Sequence, residues 1–166
     1  MMRRFLSLLA VLALAACTPR VNIDYDTSAD LAALRTYRWV EAPPPPADAP
    51  PYQDRPLMER RVHSSVDAAL QGRGYRPVAS QPDFLLNAFF VITPGYYPPD
   101  EAVTLVIDIV DARTNVLLWR GTRATGLQRT DSAAERDARI DVAVRAILDR
   151  FPPGGAAPPL NADEYR

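Results

Sequence analysis

The chain has 166 residues, with 19 basic and 20 acidic groups, one histidine, one cysteine and 17 prolines, a length that suits one domain with tails and not several. Every basic group is Arg, and a formal net charge of −1 sets up no positive field for nucleic acid. One cysteine and one histidine can neither close an intrachain disulfide nor complete a four-ligand zinc site, so no metal or cofactor is expected.

Met1-Met2-Arg3-Arg4 gives a positive start, and Phe5 to Ala16 follows as an apolar run interrupted only by Ser7. A membrane-spanning helix needs about 20 apolar residues; this stretch is shorter and has the charge and length of a signal-peptide core. Leu14-Ala15-Ala16-Cys17 resembles the lipobox of bacterial lipoproteins. The resemblance implies cleavage between Ala16 and Cys17, and diacylglycerol on the Cys17 sulfur. A thiolate is the side-chain nucleophile suited to that transfer. Each buried methylene contributes about 0.8 kcal/mol, and two or more chains hold a protein durably on a bilayer. Thr18, in place of the Asp associated with inner-membrane retention, favours the outer membrane, facing the periplasm. Removal of residues 1–16, with Arg3 and Arg4, leaves 150 residues carrying 17 basic and 20 acidic groups. Residues 17–20 are then the lipid anchor and a short tether.

Val21 to Tyr25 alternates apolar and polar residues as a half-buried strand does. Leu31 to Leu34 has room for one helical turn, and Thr36 to Val40 is aromatic and β-branched enough for a second strand. The segment 42–55 is proline-rich, with six prolines between Ala42 and Asp54, and is expected to be an extended spacer. From Pro56 the pattern turns helical, with Met58, Val62, Val66, Ala69 and Leu70 on one face, and Gly72 or Gly74 ends it. Asp83 to Ile92 and Val103 to Asp111 are strands. Asp111 to Asn115 is a tight hairpin loop in which Asn115 takes a left-handed conformation, and Val116 to Ala124 is the return strand. Ser132 and Glu135 have capping-box spacing. They open a helix that buries Ile140, Ala143, Val144, Ile147, Leu148 and Phe151 and stops at Pro152-Pro153. Acid-first pairs Glu135 with Arg139 and Asp141 with Arg145 support its exposed side. The tail 154–166 lacks large apolar residues and is expected to be disordered.

Three consecutive strands with short connections argue against an alternating parallel sheet. The expected fold class is α+β: a single domain over 21–153, with a mainly antiparallel sheet of about five strands and two helices packed on one face. The second face, around Leu85, Phe89, Leu117 and Trp119, is left for loops, a partner subunit or the proline-rich segment.

Asp24-Tyr25-Asp26, Tyr37-Arg38-Trp39-Val40, Gly74-Tyr75, Asp83-Phe84-Leu85-Leu86-Asn87, Leu105 to Ala112, Leu118-Trp119-Arg120-Gly121-Thr122 and Arg150-Phe151-Pro152-Pro153 together resemble the bacterial lipoprotein family known as domain of unknown function 4136. The resemblance spans Val21 to Pro153 and implies an envelope lipoprotein with a small α+β domain. It supplies no reaction and no catalytic residue.

Several constellations of polar residues have plainer roles. His63 and Ser64 are helix neighbours that cannot face each other, so with Asp67 they make no triad; His63 and Asp67, four apart, are expected to pair at the surface. Gly72-Arg73-Gly74 lacks the context of a phosphate loop. Asp108, Asp111, Asp100 and Glu101 lack calcium-loop spacing; Asp111 reads as a turn residue and Asp108 as a solvent-facing position or an ion-pair partner of Arg120. Tyr96 and Tyr97 sit on a proline-stiffened loop, a geometry that gives large contact area at low entropic cost. The expected function is non-enzymatic: a binding or envelope-structural module held on the membrane by Cys17, touching an envelope protein through Tyr96, Tyr97 and Trp119. The alternative is a small-molecule or lipid carrier with an apolar pocket between sheet and helices.

Overall fold

A computed structural model describes residues 20–41, 55–94, 101–128 and 130–153. The elements in chain order are β1 (Val21–Tyr25), a 3₁₀ turn (Leu31–Ala33), β2 (Thr36–Trp39), α1 (Arg55–Gln71), β3 (Arg76–Pro77), β4 (Phe84–Pro94), β5 (Glu101–Asp111), β6 (Leu117–Ala124) and α2 (Ala133–Leu148). The fold is α+β, with the six strands in one sheet of order β1-β6-β5-β4-β2-β3.

The sheet departs from the expectation of about five, mainly antiparallel strands. Among the described residues it has six and is mixed: β1, β6, β5 and β4 are antiparallel neighbours, whereas β2 runs parallel to both β4 and β3. The physical reason lies between β2 and β4. That connection contains α1, which gives the chain the length to cross over and return in the same direction, while the later strands follow one another through short loops. β3 has only two residues, too few to leave a period-two pattern.

Local chemistry explains the joints. Asp83 Oδ2 accepts the Arg35 and Thr36 N–H groups at 2.9 and 2.8 Å and the Thr36 hydroxyl at 2.9 Å, locking the start of β2 beside β4. These donors hold the Asp83 carboxyl below its ordinary value, the Arg35 N–H foremost. Asp111 Oδ1 accepts the N–H groups of Arg113 and Thr114 at 2.8 and 2.7 Å, and Asn115 sits at φ 58°, so the hairpin forms as its residues require. α1 ends where Gly74 adopts φ 89° and Tyr75 N–H reaches the Leu70 carbonyl at 3.1 Å. At α2 both halves of the Ser132–Glu135 capping box are made. Glu135 therefore faces its own cap, with the charge of Arg139 also favouring its ionised form, while Arg139 Nε makes its close ion pair with Asp131 at 3.1 Å.

Both helices cover one side of the sheet. Val62, Val66 and Leu70 of α1 and Ile140, Ala143, Val144, Ile147 and Leu148 of α2 are buried with Tyr37, Phe84, Leu86, Leu105, Ile107, Ile109 and Trp119. Phe151 closes the end of this layer, with its ring centroid 5.3 Å from Trp119 and 5.7 Å from Tyr75. Gly121 makes the centre possible. A Cβ there would overlap Trp119 Cη2 and Ile147 Cγ2, so the indole ring and α2 occupy the space that any side chain would need.

Candidate functional site

The register of the strands builds the uncovered face. Asp24 lies opposite Arg120, Arg120 opposite Asp108, and Asp108 opposite Asn87, which sets a polar row across β1, β6, β5 and β4. Arg120 Nε donates to Asp108 Oδ1 and Arg120 Nη2 to Asp108 Oδ2, both at 2.7 Å. This two-pronged geometry fits a guanidinium to a carboxylate. The Asp108 side chain is 7% exposed and that of Arg120 43%, so the acid is sunk in the sheet and the base lies over it. Arg120 is held above its ordinary value, first by its hydrogen bonds to Asp108, with Asp24 adding to it.

Apolar side chains flank that row. Phe89, Val91 and Leu117 are 38, 43 and 39% exposed. Phe89 lies opposite the buried Val106, and Leu117 opposite Val110 next to a bulge at Ile109/Val110. The bulge displaces the start of β6, leaving Val116 and Leu117 exposed at the lip of the sheet.

Of the residues named from sequence, Asp108 is the ion-pair partner of Arg120 and not a solvent-facing position. Trp119 is placed differently from the expectation. It projects to the helix-covered side and is fully buried, because it lies opposite Ile109 and Tyr25 in a row that faces α2; it has no surface to offer a partner. Ala16, Cys17, Tyr96, Tyr97 and Asp100, the segment 42–54 and the tail 154–166 lie outside the described residues.

Helix α1 carries a constellation that spacing alone missed. The Tyr37 hydroxyl and the Trp39 Nε1 N–H both donate to Asp67 Oδ1, at 2.8 and 3.0 Å, and His63 stacks on Trp39 with centroids 3.6 Å apart and planes 13° off parallel. The expected His63–Asp67 surface pair is thus replaced by a bridge from α1 to β2. Burial pushes the Tyr37 phenol above its ordinary value, and the bond to Asp67 adds to this. Burial lowers His63, against the opposing pull of Asp67 and Glu59. The available signal was the two aromatics of Tyr37-Arg38-Trp39 alternating toward a helix that carries an acid one turn from a histidine.

A groove between the solvent sides of α1 and α2 is lined by both signs of charge, among them Arg60, Arg61, Asp137 and Arg145. Arg61 Nε bridges it to Asp137 at 2.6 Å. Arg73 binds the Leu148 and Phe151 carbonyls and Asp149, pinning the end of α2. Among the described residues there is no cluster of three metal-ligating side chains, and no helix long and apolar enough to cross a membrane.

Two helices on one side of a mixed sheet, with a polar row and an apolar flank on the other, define a two-layer α+β domain. The chain belongs to the DUF4136 family, described as a domain of unknown function, whose model matches residues 21–153. No curated protein matches it. Among solved structures it is similar to a PDZ domain protein from Parabacteroides distasonis, with a TM-score of 0.56 at 11% identity over 89% of this chain. The chain spans only 39% of that structure. It is also similar to a PelC dodecamer from Paraburkholderia phytofirmans in two crystal forms, with TM-scores of 0.46 and 0.49 at 10 and 11% identity, covering 79% of this chain and 95% of PelC. These likenesses concern the fold.

Proposed function

We propose that the protein is an outer-membrane lipoprotein, tethered through Cys17 on the periplasmic side, that binds an envelope component with its uncovered sheet face and the Tyr96-Tyr97 loop. The anchor rests on the lipobox, Leu14-Ala15-Ala16-Cys17. The observation that carries the binding role is the uncovered face. Phe89, Val91 and Leu117 stay exposed around a desolvated acid paired with a half-exposed Arg120, the mixture of apolar area and fixed charge that interfaces use. Tethering confines the domain to a thin shell over the membrane and so raises its effective concentration toward a neighbour there.

The packing between sheet and helices favours this over a lipid or small-molecule carrier. Large side chains fill that interface, and at Gly121 it has no space for a methyl group. In-cell crosslinking followed by mass spectrometry tests the proposal, with Cys17→Ser as the unanchored control and Phe89→Asp as the face variant. A discrete partner is expected with the anchored chain and is expected to be lost in both variants. A partner profile identical in all three forms rules out the tethered-face mechanism.

A further inference from the structure

The register fixes where the tether enters the fold. Val21, the first residue of β1, lies opposite Arg123 of β6, Arg123 opposite Leu105 of β5, and Leu105 opposite Phe90 of β4. β1 therefore starts at the end of the sheet from which the β4–β5 hairpin projects. Beyond the level of Val21 the hairpin continues through residues 91–94 on one strand and 101–104 on the other, about 13 Å at the rise of a strand. From Val21 back to Cys17 the chain also advances four residues, a reach of at most about 14 Å. Acyl chains on Cys17 thus bring the bilayer surface no further from Val21 than the hairpin itself extends.

Helix α1 stops short of that end. Tyr37 meets Asp67 and Trp39 meets His63, so α1 runs back against β2 and β4. Trp39 is level with Leu86. From there β4 runs on to Pro94, about 26 Å, whereas α1 runs back to Arg55, about 12 Å. The end of the hairpin stands clear of α1, and Ile92, at 58%, is the most exposed large apolar side chain among the described residues. Val91 projects from the opposite side of the same strand and is exposed too. In the paired stretch 91–94 with 101–104, the single charged residue is Glu101. The far end of the domain is built differently, with Asp83, Asp111 and Arg113 at the strand ends and Arg73 and Asp149 at the helix ends.

We infer that the hairpin end of the sheet is a membrane-contact surface: Val91 and Ile92 meet the lipid headgroup layer beside the Cys17 anchor, and the domain stands on the bilayer with its charged end outward. The inference rests on the Cys17 anchor proposed above and adds to it an orientation. Two apolar side chains are too little to hold a free chain on a membrane. Beside a lipid anchor they need only bias the posture of a domain that the tether already keeps at the surface. Glu101 keeps the contact shallow, because a carboxylate is not carried into hydrocarbon without large cost. In this posture the Asp108–Arg120 face is upright and open to the side, toward a neighbour on the same membrane.

Site-specific quenching tests it on the full mature chain, purified from membranes and reconstituted in vesicles of phosphatidylethanolamine and phosphatidylglycerol. The lipid occupies the Cys17 sulfur, so one added cysteine takes a fluorophore. With a nitroxide on the lipid headgroups, quenching is expected to be several-fold stronger at Ile92→Cys than at Thr114→Cys. Ile92 lies opposite Val103, and Thr114 follows Asp111 at the other end of β5, so the two positions are more than about 25 Å apart along the strand. Because a fluorophore can itself seek lipid, a label at the exposed Ala102→Cys is read with and without Val91→Asp/Ile92→Asp. The double change is expected to bring that quenching down to the Thr114→Cys level, with unchanged far-ultraviolet circular dichroism. Intact mass reports the lipid on Cys17 separately. A chain without that lipid overturns the anchor and this inference together. A lipidated chain quenched equally at both ends, or one whose Ala102→Cys signal survives the double change, overturns this inference alone.

Discussion

Strand β6 shows two kinds of surface one residue apart. Trp119 and Gly121 point into the helix layer, where the ring and Ile147 fill the space over the glycine. Arg120 points the other way, over a carboxylate, and remains 43% exposed. The covered side tolerates almost no added volume because interiors are packed at crystal-like density. The other side holds a charge pair and open apolar area, which shape complementarity within the chain does not explain. Stability is thus concentrated on one face, and the other is free to meet something outside the domain.

The largest effect is expected where volume is tightest. Gly121→Ala places a methyl group against Trp119 and Ile147 and is expected to destabilise the domain by about 3 kcal/mol, at the upper end of overpacking costs. Urea unfolding followed by Trp fluorescence measures it. Trp119→Phe in the same chain is expected to recover part of the loss, so the two changes are non-additive. Additive losses would mean that the ring does not set the requirement for glycine.

The uncovered face is expected to respond asymmetrically. Arg120→Ala leaves the nearly buried Asp108 carboxyl without its guanidinium partner, and is expected to cost about 3 kcal/mol. Asp108→Asn leaves a guanidinium that water already reaches and keeps an acceptor beneath it, so about 1 kcal/mol is expected. Equal losses would show that the two charges share the desolvation. A smaller effect is expected at the start of α2, where Ser132→Ala removes the acceptor of the Glu135 N–H at 3.3 Å and should cost about 1 kcal/mol.

Sequence periodicity located every long element because burial imposes it. Val62, Val66 and Leu70 recur at helical spacing, and Leu105, Ile107 and Ile109 alternate along β5. The Ser132–Glu135 cap and the Asp111 turn were legible because each is closed by side chains a few residues apart. What spacing could not carry was pairing across the fold. The parallel union of β2 with β4 depends on the crossover through α1, and the Tyr37–Trp39–Asp67 bridge joins residues 28 and 30 positions apart. The side that Trp119 faces is illegible for a related reason. Leu117, Leu118, Trp119 and Gly121 give β6 apolar or neutral residues on both sides, so alternation did not say which side met the helices; the bulge near Leu117 further blurs the period.

The smallest expected effect sharpens the comparison at a third place, the edge where α1 meets β2. Burial against Trp39 lowers His63 below its ordinary 6.5, so as pH falls the unfolded chain takes up the proton first. The neutral stack therefore contributes stability that is complete above about pH 6.5 and is lost as pH falls through the lower folded-state value. Asp67 and Glu59 oppose the shift, which keeps the effect small, but His63 is the chain's only histidine and its titration is isolated. Comparing urea midpoints at about pH 7.5 and about pH 5, the wild type is expected to lose more stability than His63→Phe, which keeps an aromatic ring on Trp39 without the titration. Equal losses in both chains would mean that His63 is solvated enough to protonate freely, and that the α1–β2 bridge rests on Asp67 and its two donors alone.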